Sequence, residues 1–273
     1  MTTPESPGPL IELRGATKRF PSRSGGIHTA VKNLNFTVAP GEFVAVVGPT
    51  GCGKSTTLSL VSGLEPASAG RTLVHGKDVD GIPDGIGYMF QQDATLPWKN
   101  VLDNVALGLR FRGMARAAAE EKARAWVAKV GLTGFEDYYP HQLSGGMRKR
   151  VALAQTLVTE PEILLMDEPF GALDVQTRAL MQDELLRVWA GTGAAVMFIT
   201  HDLEEAIVLA DRVVVMTASP ATVCGDFPIT LGRPRNVEEV RLTDEFRTIY
   251  TEIWQTLRDQ VDAARAKAES RVA

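Results

Sequence analysis

Apolar and polar positions alternate along IELRGATKRF (11–20) and HTAVKNLNFTV (28–38), the period-two pattern of strands with one buried face. FPSRSGG (20–26) between them reads as a turn. EFVAVVG (42–48) is a nearly continuous apolar run ending in glycine, which predicts a strand covered on both faces. A helix is expected to start inside GKSTTLSLVSGL (53–64). RTLVHGKDV (71–79) and GIGYMF (85–90) read as further strands. From about Val101 to Val158 helical composition dominates, including the Ala-rich ARAAAEEKARAWVAKVGL (115–132). Strands and helices then alternate: EILLMD (162–167) as strand, VQTRALMQDELLRVWA (175–190) as helix, AAVMFIT (194–200) as strand, LEEAIVLA (203–210) as helix and DRVVVM (211–216) as strand.

That alternation predicts an α/β fold with a mostly parallel sheet and helical crossovers. An antiparallel β region precedes it and a helical block interrupts it. No internal repeat is visible, so one cassette is expected. The expected division is a main domain over 1–240, with its core at about 11–92 and 160–235 and the helical subdomain at about 93–159. A C-terminal helical extension covers 241–273. Leu242, Phe246, Ile249, Ile253, Leu257 and Val261 recur every three or four residues, one face of a long helix packed on the core. Thr243 is its expected N-cap. Residues 1–10, rich in Pro, Ser and Thr, read as a loose tail.

Composition narrows the picture. The chain has 273 residues, 44% of them hydrophobic, which suits a folded protein with an ample core. Its longest apolar runs are strand-sized, too short to span a membrane. MTTPESPGPL at the start has no basic stretch followed by an apolar one, so no secretion signal is read. A soluble cytoplasmic protein is the expectation. The net charge of −4 argues against nucleic acid as the main partner. The two cysteines, Cys52 and Cys224, have no zinc-type spacing and read as free thiols.

GPTGCGKST (48–56) fits the phosphate-binding loop pattern: Gly48, four residues, then Gly53, Lys54 and Ser55, between a predicted strand and a predicted helix. Glycines let successive backbone N–H groups converge on phosphate oxygens, and the helix N-terminus adds a favourable dipole. Lys54 can reach the β- and γ-phosphates and the Ser55 hydroxyl can ligate Mg²⁺. Gly48, Pro49, Thr50, Gly51, Cys52, Gly53, Lys54, Ser55 and Thr56 are therefore the expected nucleotide-binding residues. In EILLMDE, Asp167 and Glu168 end a buried strand, the edge where open parallel sheets bind ligands. Asp167 is assigned to Mg²⁺ through water, and Glu168 to polarising the attacking water. His201 falls at the same edge and could sense a γ-phosphate. Asp202 reads as the N-cap of the next helix, with Glu205 completing a capping box. Gln91 follows a strand and could reach Mg²⁺ or the water. Phe20 has two readings, an adenine-stacking ring or a core aromatic.

A second glycine loop, LSGGMRK (143–149), precedes an amphipathic pattern of Met147, Val151, Ala154 and Val158 with Ser144 near its start. Arg148, Lys149 and Arg150 read as a solvated face. A serine, two glycines and a helix N-terminus favour an anion, yet the chain's phosphates already have a cradle. The economical solution is that this loop serves another molecule's nucleotide.

From about Ile11 to Met216 the chain closely resembles the ATPase subunits of ABC transporters, with the P-loop NTPase fold that implies. GPTGCGKST is similar to their Walker A motif, Gln91 to the Q-loop, LSGGM to the signature, ILLMDEP to Walker B, GALD (171–174) to the D-loop and His201 to the switch histidine, in the family's order. The resemblance implies ATP and Mg²⁺ as cofactors, with Ser55, Gln91 and Asp167 toward the metal. Glu168, His201, Gln91 and Lys54 are then the catalytic set. It also implies a head-to-tail pair of ATPase subunits in which Ser144, Gly145 and Gly146 contact the partner's ATP and Asp174 communicates across the interface. An integral membrane permease is the implied direct partner, and an extracytoplasmic substrate-binding protein an indirect one. The chain would sit on the cytoplasmic side of the membrane. Phe20 stands where family members commonly have tyrosine, a change that preserves stacking.

QQDATLPWKNVLDNV (91–105), YYPHQLSGGMRKRVALAQTL (138–157) and the C-terminal tail resemble the nitrate/sulfonate/taurine group of bacterial importers. That implies uptake of a small solute. An exporter ATPase and a soluble ABC ATPase acting on DNA or ribosomes are the rivals. Leu96, Pro97 and Trp98 are expected either to line the groove for the permease's coupling helix or to anchor a buried loop.

Overall fold

The computed structural model describes residues 8–22, 25–92 and 94–269, with side chains of the last helix described to Asp262. The expected tail at residues 1–7 and part of the 20–26 turn lie outside these residues. The chain order is β1 (Ile11–Pro21), β2 (Ile27–Val38), β3 (Phe43–Val47), α1 (Lys54–Val61), β4 (Ala69–Val74), β5 (Lys77–Asp78) and β6 (Ile86–Met89). Three helices follow, α2 (Val101–Phe111), α3 (Arg116–Lys129) and α4 (Gly145–Leu157). Then come β7 (Ile163–Asp167), α5 (Val175–Trp189), β8 (Ala195–Ile199), α6 (Leu203–Leu209), β9 (Arg212–Met216), β10 (Val223–Pro228), α7 (Val237–Val240) and α8 (Asp244–Glu269).

Two sheets form. One is antiparallel, in the order β2-β1-β4-β5, and the other runs β10-β9-β3-β8-β7-β6. In the second, β9, β3, β8, β7 and β6 are parallel neighbours and β10 is an antiparallel edge. The residues of β3, β8 and the first four of β7 are all buried. Their continuous apolar runs follow from burial on both faces. Alternation sorts them: Phe43, Ala45, Val47, Leu164, Met166, Val196 and Phe198 face the cluster built with α2–α6 and α8. Val44, Val46, Ile163, Leu165, Met197 and Ile199 face the cluster under α1 and the antiparallel sheet. Both layers therefore hold the C-terminal ends of the parallel strands in place.

The C-terminal stripe meets expectation along most of its length. Phe246, Ile253 and Leu257 are buried, while Ile249 and Val261 pack against the same cluster. Thr243 Oγ1 accepts the Phe246 N–H at 3.2 Å. Leu242 does not belong to that face; it precedes the helix and is 78% exposed, because the cap turns the chain before the buried stripe begins. The strand β10 was not expected from the sequence. Its side chains alternate between half-buried and exposed, but Gly225 and Pro228 disguise the pattern.

Candidate functional site

The glycine-lysine loop lies between β3 and α1. Gly53 has φ of 124°, and a Cβ there would sit 2.7 Å from Val31 Cγ1 and 3.0 Å from the Ala30 carbonyl oxygen. Glycine at this position follows from backbone conformation and from the close approach of β2. Lys54 is 5% exposed and its Nζ donates to the carbonyls of Gly48 (2.9 Å) and Pro49 (3.2 Å). The ammonium is thus already aimed along the loop that a triphosphate would follow. Cys52 is buried, and that burial pushes its thiol pKa up, so it is an inert packing group rather than a nucleophile.

Ser55, at the start of α1, donates its hydroxyl to Asp167 Oδ1 at 3.1 Å, across 112 residues of sequence. Two hard oxygen donors side by side suit a divalent cation. Partial burial raises the Asp167 pKa, with the neighbouring Glu168 adding to it, against the Ser55 hydrogen bond and Lys54. A cation at that spot would relieve the same cost. Glu168 has φ of 42°, a conformation that costs a non-glycine residue of order 1–3 kcal/mol and is retained where surrounding structure enforces it. Its N–H bonds to the Ile199 carbonyl at 2.9 Å. The carboxylate turns away from Asp167's partners: Oε2 lies 3.0 Å from His201 Nδ1 and 3.4 Å from Gln91 Nε2. Residues from the ends of β6, β7 and β8 thereby converge on one carboxylate. This arrangement can polarise a water, with His201 donating from Nδ1 in the tautomer that pairs with a carboxylate.

Phe20 is half-buried on β1, so it is not among the fully buried core side chains. The Lys18 ammonium stands 5.0 Å from its ring centre. The ring thus carries a cation–π contact.

The second glycine loop opens α4. Ser144 is the N-cap, its Oγ accepting the Met147 N–H at 3.3 Å. Gly146 packs against α5, where a Cβ would meet Thr177 Cγ2 at 2.7 Å. Asp174 caps α5 by accepting the Thr177 N–H at 3.0 Å, which lowers its pKa and keeps it ionised. The two loops open helices that join the clusters on opposite faces of the parallel sheet. α1 packs on β2, β4, β7 and β8, whereas α4 packs on α2, α3, α5 and β6.

The structure corrects two further expectations. The Arg148-Lys149-Arg150 run is not a solvated face. Lys149 is 4% exposed and donates to the Gln91 carbonyl at 2.9 Å, while Arg148 reaches Leu143 O and Arg150 reaches Val130 O. Helical crossing over β6 puts the cations above loop carbonyls, which sequence alone does not locate. Asp202 does cap α6, accepting the Glu205 N–H at 3.2 Å, but Glu205 does not complete a capping box. Its side chain is buried against Thr200 and Gln182 instead, and Thr200 Oγ1 takes the Asp202 N–H at 3.0 Å.

Sequence reasoning also passed over Arg178, which donates to the Leu173 carbonyl (3.0 Å) and to Asp202 Oδ2 (3.3 Å). It joins the loop before Asp174 to the turn after His201. An arginine one helical turn beyond a capping aspartate was the available signal. Asn104, fully buried, clamps the 96–100 loop through Leu96 N, Leu96 O, Lys99 O and Asn100 O. Trp98 on that loop is 70% exposed, so it is no buried anchor. A groove of about 330 Å³ is lined by Phe90, Gln92, Ala94, Leu107, Phe111 and Arg112 among others, and Leu96, Pro97 and Trp98 do not line it. Among the described residues, no helix is long and apolar enough to cross a membrane.

Comparison with known proteins agrees with this geometry. Residues 31–171 match the sequence profile of the ABC transporter family. An uncharacterized ABC transporter ATP-binding protein of Methanocaldococcus jannaschii is 44% identical over 251 residues, covering 92% of both chains. A taurine import ATP-binding protein of Rhizobium johnstonii is 39% identical over 257 residues, covering 93% of this chain and 98% of that one. A dimeric ATP-binding cassette in a post-hydrolysis state, bound to ADP and phosphate, superposes with a TM-score of 0.71 at 29% identity, covering 82% of this chain and all of the other. With its loop-helix phosphate cradle and the carboxylates beside it, this chain belongs to the ABC transporter family and is an ATP-binding, ATP-hydrolysing cassette.

Proposed function

We propose that the chain is the ATPase subunit of a bacterial importer for a small solute of the nitrate/sulfonate/taurine type. The observation that carries this reading is the second glycine loop. Ser144, Gly145 and Gly146 form a helix N-terminus whose helix packs in the cluster on the other face of the parallel sheet from the Lys54 helix. Two copies placed head to tail would complete each nucleotide site, the Lys54 loop from one and the Ser144 loop from the other. The dimeric ATP-binding cassette with 29% identity supports that assembly. The importer reading draws on the taurine import proteins, 39% to 44% identical.

In this reading the backbone of residues 48–56 holds the phosphates and Phe20 stacks on adenine. The hard oxygens of Ser55 and Asp167, with Gln91 nearby, fit Mg²⁺, which would neutralise charge on the β- and γ-phosphates. Glu168 takes a proton from the attacking water, oriented by His201 and Gln91. Asp174 faces the partner. The permease's cytoplasmic helix enters the groove beside Phe90 and Phe111, which are 45% and 82% exposed. Such exposed apolar side chains around a concave surface suit a helix-in-groove contact. The chain is then held at the cytoplasmic face of the membrane through that permease.

Co-expression with a candidate importer permease tests the assignment: a tagged chain should extract the integral membrane protein in detergent. Recovery of ribosomes or DNA ends in its place overturns it. Ser144→Arg should leave ATP binding to the monomer unchanged and block ATP-driven dimerisation, read by light scattering. Lost binding in the monomer would mean that the loop serves its own chain's nucleotide.

A further inference from the structure

We infer that Glu205 is a positioning residue for His201, setting the imidazole through a buried hydrogen-bond chain that runs Gln182–Glu205–Thr200 and closes on the Asp202 backbone. The inference deepens the hydrolytic role proposed for His201 and rests on it.

His201 has little of its own to hold it. Its side chain is 56% exposed and its ring contact is the Glu168 carboxylate 3.0 Å away. Its aim therefore comes from the backbone on either side. Thr200, 1% exposed, bonds to Glu205 Oε2 through Oγ1 and accepts the Asp202 N–H at 3.0 Å with the same oxygen. One hydroxyl thus pins both neighbours of His201, a local side-chain-to-backbone turn. Glu205 is 3% exposed and its second oxygen accepts from Gln182 Nε2 at 2.9 Å; Gln182 is fully buried on α5. Arg241, just ahead of α8, donates to Gln182 Oε1 at 3.2 Å and closes the far end. The turn is anchored to the central helix layer rather than to solvent.

The energetics favour a positioning role over simple packing. A buried carboxylate is expensive, and burial raises the Glu205 pKa against the Thr200 and Gln182 hydrogen bonds and the charge of Arg178. An apolar side chain on α6 would fill the same space at lower cost, but it could not orient Thr200. Buried polar chains that are satisfied at each link specify a single geometry. A histidine that must stay within hydrogen-bond reach of a carboxylate and a phosphate requires one.

The test uses the full chain and four variants. Glu205→Leu removes both carboxylate bonds, and Thr200→Val breaks the same chain from the other side with little change of shape. Glu205→Gln keeps the shape and an oxygen for Gln182, but its N–H stands where the carboxylate accepted the Thr200 hydroxyl, so Thr200 Oγ1 must turn to accept it beside the Asp202 N–H. His201→Ala supplies the reference. The chain has four histidines, so imidazole NMR resolves them, and the signal absent from His201→Ala identifies His201. Expected are a shifted His201 signal and kcat lowered roughly 10- to 100-fold in Glu205→Leu and Thr200→Val. The KM for ATP should change less than about twofold, the signature of a group felt in the transition state, and Glu205→Gln, which reverses the donor at Thr200, should recover both readouts only in part. Glu205→Leu should also cause no further loss in the His201→Ala background, as expected for residues acting as a unit. An unmoved His201 signal in Thr200→Val, or an equal loss in the His201→Ala background, overturns the inference. Normal hydrolysis by His201→Ala instead overturns the reading on which it rests.

Discussion

Glu168→Gln should bind ATP as the parent does and hydrolyse it about a thousandfold more slowly, since a positioned general base contributes 10²–10⁴-fold. The substitution is close to isosteric. Glu168 Oε2 sits 3.0 Å from His201 Nδ1 and 3.4 Å from Gln91 Nε2, and an amide oxygen can still accept from both. The strained φ of 42° is set by the backbone around it, including the Glu168 N–H to Ile199 carbonyl bond, so the loop should hold its shape. What disappears is the capacity to take a proton. Phosphate release and equilibrium ATP binding measure the two halves separately. If closure follows binding and hydrolysis reopens the pair, the variant should also accumulate as an ATP-bound dimer in gel filtration. Normal steady-state turnover would remove Glu168 as the base.

Lys54→Ala should act one step earlier and weaken ATP binding about 100-fold or more. Charge-assisted hydrogen bonds contribute about 1.5–3 kcal/mol each, and about 2.7 kcal/mol corresponds to a hundredfold. Lys54 is buried, and its Nζ bridges the Gly48 and Pro49 carbonyls. Truncation therefore removes both the charge for the phosphates and a brace within the loop. Circular dichroism and melting of the free protein separate the two effects. A chain that melts normally but has lost ATP affinity supports direct phosphate contact. Unchanged affinity contradicts it.

Much of the fold was legible along the chain. Continuous apolar runs marked β3, β7 and β8, and the three-four periodicity marked the buried face of α8, because both patterns reflect local geometry against a nearby core. The antiparallel edge strand β10 escaped notice because its glycine and proline obscure the alternation. Leu242 was misplaced because periodicity does not see where a cap turns the chain. The cations of 148–150 were misjudged for a different reason. Whether a lysine is solvated depends on what lies above it, and Lys149 meets the Gln91 carbonyl, 58 residues away.

The glycine-lysine loop, the paired carboxylates at a strand end and the serine-capped second loop were determined by the sequence itself. Each depends on adjacent residues and on backbone conformations that glycine, serine and aspartate favour over short distances. The tertiary structure alone decided their partners. Ser55 meets Asp167 across 112 residues, Gln91 meets Glu168 across 77 and His201 meets Glu168 across 33. It also moved Glu205 from an expected capping box to the interior, beside Thr200 and Gln182. Buried polar groups must find partners wherever packing brings them, and packing is set by the whole sheet rather than by any segment of it.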